Sequence, residues 1–362
     1  MGKYMIFYSV LKSLWHCFFV KKLDRKDNNK QSFWPTFVAV VIIAFYGHKA
    51  DAMTCAQLFT AEKGEILQLS TKTVSELVER YFSFKESYDQ REDKLREDID
   101  TLYQMPEYQR TMQNREQLID QFYKSERAYT EALQNALVSR PSHERIAYLK
   151  GLNREALIKH AALLDFLFGL KIKEMDENLK AELESENYLD QIKLQKKYGD
   201  EEIWYAPGAG QQTPWFALLE VVDAMNLKPG QLVSDFGSGI GRLGLLIGFL
   251  RPDVNFVGLE IVGERVKYAN QAAAALGFDN VKFHTVNLSD AKLHLPPADH
   301  IYMFNPTNSK TSEIVTQKLV QLSKTKKFRV YLLTGLQSSS FRDFFKLVEA
   351  KNLNIYERRS DH

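Results

Sequence analysis

The chain has 362 residues, of which 44% are hydrophobic and 26% charged, a composition typical of a folded globular protein with two ordinary domains. Its 48 Lys and Arg residues nearly balance its 46 Asp and Glu residues, so the formal net charge of +2 provides no global field favouring nucleic acid. Two cysteines, Cys17 and Cys55, cannot form a disulfide framework, and no Cys/His spacing resembles a zinc site. We therefore expect no metal and no nucleic-acid partner.

Residues 1–52 have the composition of a targeting segment. A cationic stretch, Lys21 to Lys30, precedes the apolar run Phe37 to Tyr46, which the tripeptide Ala50 to Ala52 follows. This order is typical of a secretory signal, and the apolar run is shorter than the ~20 residues that a spanning helix needs. A second apolar stretch lies upstream, so an uncleaved membrane anchor is an alternative. The segment predicts export or membrane association, and a cytoplasmic location is the remaining possibility.

Residues 53–200 are predicted to form an all-α helical domain. From Thr71 to Lys197 the sequence is charged, poor in Gly and Pro, and apolar at every third or fourth position. Thr73 and Glu76 have the spacing of a capping box at a helix start. The pattern favours a helical bundle, with a partner-binding coiled coil as the alternative. The apolar stripes are Val74, Leu77, Val78, Tyr81 and Phe82; Leu118, Phe122, Tyr129, Leu133 and Leu137; and Leu157, Ala161, Leu164 and Phe168.

Residues 201–362 change to short apolar runs that alternate with helices and are separated by Gly and Pro. This alternation predicts an α/β fold, a mostly parallel sheet with flanking helices whose ligands bind at the carboxyl edge of the strands. The predicted strands are Leu232–Phe236, Asn255–Glu260, Val281–Val286, His300–Phe304, Phe328–Leu333 and Leu353–Glu357. The predicted helices are Ile240–Leu250, Glu264–Leu276, Ser309–Ser323 and Ser339–Ala350.

A glycine-rich turn follows the first predicted strand and reads D-F-G-S-G-I-G from Asp235 to Gly241. Glycines permit backbone geometries closed to other residues and leave no Cβ to block a ligand. Gly239 to Gly244 also satisfies the dinucleotide pattern G-x-G-x-x-G, so a nicotinamide-dependent oxidoreductase is an alternative. Asp235 argues against that alternative, because a carboxylate suits a cationic ligand better than a pyrophosphate.

The D-F-G-S-G-I-G turn resembles motif I of the class I S-adenosylmethionine-dependent methyltransferases, which have a Rossmann-like fold. The resemblance implies that S-adenosylmethionine is the cofactor. In that family the acidic residue that ends the next strand, here Glu260, accepts both ribose hydroxyls. The family also places a polar residue after the third strand, near the adenine amino group, and either Asn287 or Asp290 fits this role. The turn residues implied to bind the cofactor are Asp235, Gly237, Ser238, Gly239 and Gly241.

An upstream segment resembles the non-SET histone lysine methyltransferase-like subgroup. Tyr205 and Thr213 lie in segments similar to those that close over the cofactor in that subgroup. Thr213 as N-cap and Pro214 as the first helical residue also make a good helix start, so a plain capped turn is the alternative.

Asn305 follows the fourth strand and is the candidate catalytic residue. Asn305-Pro306 resembles the N-P-P-Y motif of amino-group methyltransferases, whose Asn holds the substrate nitrogen. Thr307 and Asn308 replace the second proline and the aromatic residue, which weakens the case for nucleic-acid bases as acceptors. His284, His294 and His300 are interpreted as strand or loop residues without catalytic roles.

The resemblance extends from about Tyr205 to Leu333. It predicts methylation of a protein side chain, with lysine as the first choice. The alternatives are the nicotinamide-dependent oxidoreductase and a non-catalytic binding module of the cell envelope that retains the fold. Export would favour the latter, since S-adenosylmethionine is made and used in the cytoplasm. Because the chain ends soon after its sixth predicted strand, we expect the seventh strand of the family sheet to be missing or rearranged.

Overall fold

The computed structural model describes residues 69–103, 115–172, 174–175, 177–178, 212–304, 308–333, 338, 340–350 and 353–359. The predicted targeting segment 1–52, Tyr205 and Asn305 lie outside these ranges. The chain divides into two compact units, Met1–Leu67 with Arg96–Arg127, and Gln68–Leu95 with Ala128–His362. The predicted boundary near residue 200 falls within the second unit and stays a prediction.

The first and third helices before residue 212 begin at signals that the sequence contains. The Thr73 backbone N–H donates to Glu76 Oε2 at 2.7 Å, and the Glu76 N–H donates to Thr73 Oγ1 at 3.3 Å, which confirms the capping box. Pro141 is the N-cap residue of the third helix. A 3₁₀ turn, Ala161–Leu163, precedes the fifth. These helices are α1 (Val74–Tyr103), α2 (Arg115–Ser139), α3 (Ser142–Lys150), α4 (Arg154–Lys159) and α5 (Leu164–Leu167).

The part of the chain from residue 212 onward forms a seven-stranded sheet with flanking helices, which confirms the predicted Rossmann-like α/β fold. The strand order is β3-β2-β1-β4-β5-β7-β6, and all neighbours are parallel except that β7 is antiparallel to both β5 and β6. The strands are β1 (Leu232–Phe236), β2 (Asn255–Glu260), β3 (Val281–Thr285), β4 (His300–Met303), β5 (Arg329–Leu332), β6 (Phe345–Ala350) and β7 (Asn354–Arg358). The helices are α6 (Trp215–Met225), α7 (Arg242–Leu250), α8 (Gly263–Ala275), α9 (Ser309–Ser323) and α10 (Phe341–Phe344).

The centre of the sheet is buried on both faces, as parallel strands between helices require. Every residue of β4 is buried, and so are the last four of β1. On one face of the sheet, α7 packs against β2 so closely that a Cβ on Gly244 would lie 2.5 Å from the Phe256 ring. A large core cluster on the sheet includes Phe236, Ile301, Met303, Val315, Leu319, Val330, Phe341 and Phe345.

The predicted helix Ser339–Ala350 is largely wrong. Only α10 is helical, and the chain then enters β6, so the seventh strand that we expected to be missing or rearranged is present. β6 gains its strand geometry by antiparallel pairing with β7, a tertiary contact that local helical spacing does not reveal. None of the described helices combines the length and apolarity needed to cross a bilayer.

Candidate functional site

The glycine turn between β1 and α7 has a left-handed backbone at Gly237 (φ 78°), Gly239 (φ 54°) and Gly241 (φ 90°). L-residues with a side chain rarely adopt these angles, which explains three glycines in five residues. The backbone N–H groups of Gly237 and Ser238 both donate to the Leu259 carbonyl, at 2.8 and 3.0 Å. The turn is therefore fastened to β2, at the carboxyl edge of the sheet.

The lack of a side chain at Gly239 and at Gly241 has a different structural reason in each case. A Cβ on Gly241 would lie 2.7 Å from the Ala269 Cβ and 2.8 Å from the Phe283 ring, so Gly241 allows α7 to pack against α8 and β3. A Cβ on Gly239 would meet only the side-chain amide of Gln212, at 2.9 and 3.0 Å. The far end of a flexible side chain can move aside, so Gly239 is where the turn can present bare backbone to a ligand.

Ser238 directs its hydroxyl toward β2. Its Oγ lies 2.8 Å from the position that a Cβ on Gly258 would take. The hydroxyl is buried and finds no hydrogen-bond partner among the described residues. Sequence reasoning placed Ser238 in the cofactor site, and that role stays a prediction.

Two buried carboxylates lie near the carboxyl ends of neighbouring strands beside this turn, with Asp235 next to last in β1 and Glu260 last in β2, and they are 4% and 5% exposed. Glu260 is well satisfied: its Oε2 accepts from the Gly239 N–H at 2.8 Å and its Oε1 from the Val262 N–H at 3.0 Å. The Arg265 guanidinium lies 3.6 Å from Oε1. Each carboxylate oxygen has a second lone pair, so Glu260 can still accept hydroxyl groups from a ligand.

Asp235 is different, because no hydrogen bond or ion pair to its carboxylate is formed within the described ranges. Burial, and secondarily the nearby Glu260 charge, raise the pKa of Asp235 well above its usual range. A buried, unpaired carboxylate is costly, and a cationic ligand group would relieve that cost. A ligand with an ammonium group and a ribose therefore fits this pair of residues.

Thr213 is not the helix cap that its sequence predicts. Pro214 holds the N-cap position of α6, and the Thr213 hydroxyl instead hydrogen-bonds the Tyr302 hydroxyl at 2.8 Å. Tyr302 lies beside Asp235 in the β1–β4 register, and burial raises the pKa of Tyr302. Thr213 thus approaches the site through Tyr302, which sequence reasoning missed because a strand tyrosine carries no motif.

Asn287 closes a local turn after β3. Its Oδ1 accepts from the Ser289 backbone N–H at 2.9 Å and from the Ser289 hydroxyl at 2.6 Å. The alternative residue, Asp290, similarly accepts from the Lys292 N–H at 2.9 Å. Both are engaged in loop geometry, and the contact with adenine stays a prediction.

His300 has a structural environment, as expected. It begins β4, at the edge of the sheet opposite the glycine turn, and hydrogen-bonds the Tyr331 hydroxyl at 2.9 Å and Gln231 Oε1 at 3.2 Å. Burial lowers its pKa to about 4, with weaker effects from neighbouring charges. With both ring nitrogens hydrogen-bonded and its pKa lowered, His300 is a neutral core residue.

Residues 227–353 match a family model described as "Methyltransferase domain". The matched segment begins before β1 and ends directly before β7, so it contains the glycine turn and both carboxylates. This match decides against the nicotinamide-dependent oxidoreductase.

Curated relatives match a shorter stretch. The ribosomal RNA small subunit methyltransferase G of Leifsonia xyli subsp. xyli is 44% identical over 79 residues, 22% of this chain and 37% of that protein. The protein of the same name from Porphyromonas gingivalis is 41% identical over 64 residues, 18% of this chain and 29% of that protein. The matched part of the chain thus covers 37% and 29% of the length of these two relatives.

Solved structures that match part of the chain include the magnesium protoporphyrin IX methyltransferase from Synechocystis with bound S-adenosylhomocysteine. It has a TM-score of 0.32 and 16% identity, covering 51% of this chain and 100% of that one. A SAM-dependent methyltransferase from Aquifex aeolicus has a TM-score of 0.31 and 18% identity, covering 39% of this chain and 88% of that one.

The comparisons correct the predicted partners. The curated relatives are named for ribosomal RNA, so the expectations of a protein substrate and of no nucleic acid are wrong. Net charge misled us because a value of +2 sums the whole chain and is silent about any local surface. The histone lysine methyltransferase-like subgroup and the predicted membrane association find no support. Residues 227–353 therefore match a methyltransferase domain.

Proposed function

We propose that this protein transfers the methyl group of S-adenosylmethionine to RNA. The observation that carries the proposal is the pair of buried carboxylates beside the glycine turn. Asp235 has no donor from the described residues, whereas Glu260 is held in place by the Gly239 backbone. One carboxylate is thus left for a cationic group, and the other is fixed where it can accept hydroxyls.

When bound, S-adenosylmethionine supplies an electrophilic methyl group on a sulfonium, so the protein needs little acid–base machinery. Asp235 attracts the α-ammonium group at the amino-acid end of the ligand. Glu260 accepts the ribose hydroxyls, and its orientation is fixed by the N–H groups of Gly239 and Val262. The bare backbone of Gly239 lets the ligand lie close to the turn. These residues therefore bind and orient the methyl donor, which is the main catalytic contribution expected of them.

Two relatives support RNA as the methyl acceptor, since both are named as ribosomal RNA small subunit methyltransferases. Their similarity covers 22% and 18% of this chain, so the acceptor is inferred from the methyltransferase domain and not from the helices. The proposed transfer does not require a general base among the described side chains, because the sulfonium already activates the methyl group.

The test is methyl transfer from tritium-labelled S-adenosylmethionine to purified small-subunit ribosomal RNA and to assembled small subunits. We expect label that ribonuclease releases and protease does not. The Gly239→Val variant should transfer none, because a β-branched side chain at φ 54° distorts the turn. Label found only in protein would contradict RNA as the methyl acceptor. Donor binding with no transfer to any RNA would also contradict it, and would favour a non-catalytic module.

A further inference from the structure

A buried ion pair joins the helical region to the first residue after the glycine turn. Asp165 belongs to α5, and Arg242 begins α7 directly after Gly241. The guanidinium is bidentate on the carboxylate, with Nε to Oδ1 at 2.8 Å and NH2 to Oδ2 at 2.5 Å. The Arg242 and Asp165 side chains are 16% and 11% exposed. The pair is therefore geometrically well formed and largely removed from water.

Aromatic residues enclose this pair. Trp215, the first residue of α6, donates its indole N–H to Asp165 Oδ1 at 3.1 Å. The Arg242 guanidinium lies 5.6 Å from the Trp215 ring centroid, and the Phe168 ring stacks on Trp215 with 5.1 Å between ring centroids. Asp165 thus connects α5 to both helices that flank the glycine turn in sequence.

Arg242 also reaches the segment that lies over the turn. Its NH1 donates to the Thr213 carbonyl at 3.1 Å, and the Thr213 hydroxyl bonds Tyr302 next to Asp235. The adjacent residue, Gln212, places its side-chain amide 2.9 to 3.0 Å from the position that a Cβ on Gly239 would take. A continuous series of contacts therefore runs from Asp165 through Arg242 to the segment covering the glycine turn.

Stability alone does not explain an ionic connection here. Taking two charges out of water costs much of what their attraction returns, and well-packed apolar residues would often hold the helices equally well. A bidentate guanidinium fork, by contrast, fixes direction as well as distance, and a third donor remains for Thr213. The choice of Asp and Arg thus suits a role in orientation.

We propose that Asp165 is a positioning residue for the methyl-donor site. It orients Arg242, and Arg242 holds the Thr213 backbone so that Gln212 lies correctly beside Gly239. In this way a residue of the helical region influences the geometry of the donor site without contacting the donor. This inference depends on the proposed S-adenosylmethionine binding described above.

Donor affinity of the full-length chain tests the proposal, measured by titration calorimetry with S-adenosylmethionine. Asp165→Asn should raise the Kd about tenfold or more. In the transfer assay it should raise KM for the donor while leaving kcat at saturating donor within about twofold. Asp223→Asn is the matched control, because the ion pair of Asp223 with Arg154 also joins the helical region to α6 but is about half exposed. This control should bind as the wild type does.

A second variant separates positioning from folding. The double substitution Asp165→Leu with Arg242→Met replaces the ion pair with apolar side chains and should leave the protein folded, with a modestly lower thermal unfolding temperature because the Trp215 N–H loses its acceptor. The Thr213 carbonyl loses its donor in that variant, so the Kd should stay raised. Wild-type affinity in the double variant, or in Asp165→Asn, overturns the positioning role while leaving the donor site intact. A wild-type protein that binds no S-adenosylmethionine instead overturns the proposed function, and this inference with it.

Discussion

The Glu260 carboxylate accepts a hydrogen bond from the Gly239 backbone N–H at 2.8 Å, so the end of β2 holds the centre of the turn that follows β1. Its second oxygen binds the Val262 N–H at 3.0 Å. The residue expected to bind ribose therefore also shapes the turn over which the ligand would lie.

Replacing Glu260 with alanine should weaken S-adenosylmethionine binding by about 1.5–3 kcal/mol, since it removes charged acceptors for the ligand and for the buried Gly239 N–H. Calorimetric titration measures the loss. Glu264→Ala is the control, because Glu264 lies nearby at the start of α8 and pairs with Lys267. Equal affinities of wild type and Glu260→Ala would remove Glu260 from the site.

Asp235→Asn should stabilise the fold while it weakens donor binding. The raised pKa of Asp235 means that the folded state holds its proton more tightly than the unfolded chain does. The stability that this group contributes is complete below the unfolded pKa and is lost as pH rises through the folded pKa. The variant should therefore gain about 0.5–2 kcal/mol at pH 8 and less at pH 5. Thermal or urea unfolding at both pH values measures the difference, and a destabilised variant at pH 8 would contradict the assignment.

Donor binding should release a proton from the wild-type protein. A cationic ligand favours the ionised form of Asp235, whose pKa is raised in the free protein. Affinity should consequently fall by up to about tenfold per pH unit below that pKa. Calorimetry in buffers of different ionisation enthalpy detects the proton. Buffer-independent heats throughout the range from pH 5 to pH 8 would argue against Asp235 as the group that titrates.

Gly239→Ala should reduce donor affinity about tenfold or more, because the added methyl group projects from the bare face of the turn at φ 54°. Gly277→Ala supplies a control with the same kind of backbone penalty. Gly277 has φ 73° and nothing within 4 Å of an added Cβ, so its variant should lose some stability and no affinity. Similar donor affinity in both variants would show that the face of Gly239 is not used.

His300 should make stability fall between pH 6.5 and pH 4. Its folded-state pKa is lowered to about 4, so the unfolded chain binds the proton more tightly over this interval. The stability is fully present above the unfolded pKa and is lost as pH falls through the folded pKa, amounting to at most about 3 kcal/mol. Urea unfolding of His300→Gln should show a smaller loss than wild type. His284→Gln, altered at an exposed position of β3, should behave like wild type.

The fold was largely predictable from local patterns. The bounds of β1, β2 and α9 agree with the predicted ones, since each element has a clear apolar period and clear breakers. β6 was missed because its strand conformation comes from pairing with β7 at the sheet edge. Segment patterns thus identify elements that bury their own faces, and fail where a distant partner decides.

The site divides in a similar way. Asp235 and Glu260 could be identified from the sequence because each lies near the end of a predicted strand, and the glycine turn marks that edge of the sheet. The ion pair of Asp165 with Arg242 joins residues 77 positions apart, and no spacing rule connects them. Thr213 had a good capping pattern, yet a buried Tyr302 competes for its hydroxyl. Side chains whose partners lie on other elements require the tertiary structure.

The most direct test of the central claim is calorimetric titration of the purified full-length protein with S-adenosylmethionine, alongside Asp235→Ala and a nicotinamide dinucleotide as a second ligand. The glycine turn and its two carboxylates predict micromolar binding of S-adenosylmethionine by wild type, none by the variant and none of the dinucleotide. Absence of binding by the folded wild type, or equal affinity in Asp235→Ala, would contradict the account.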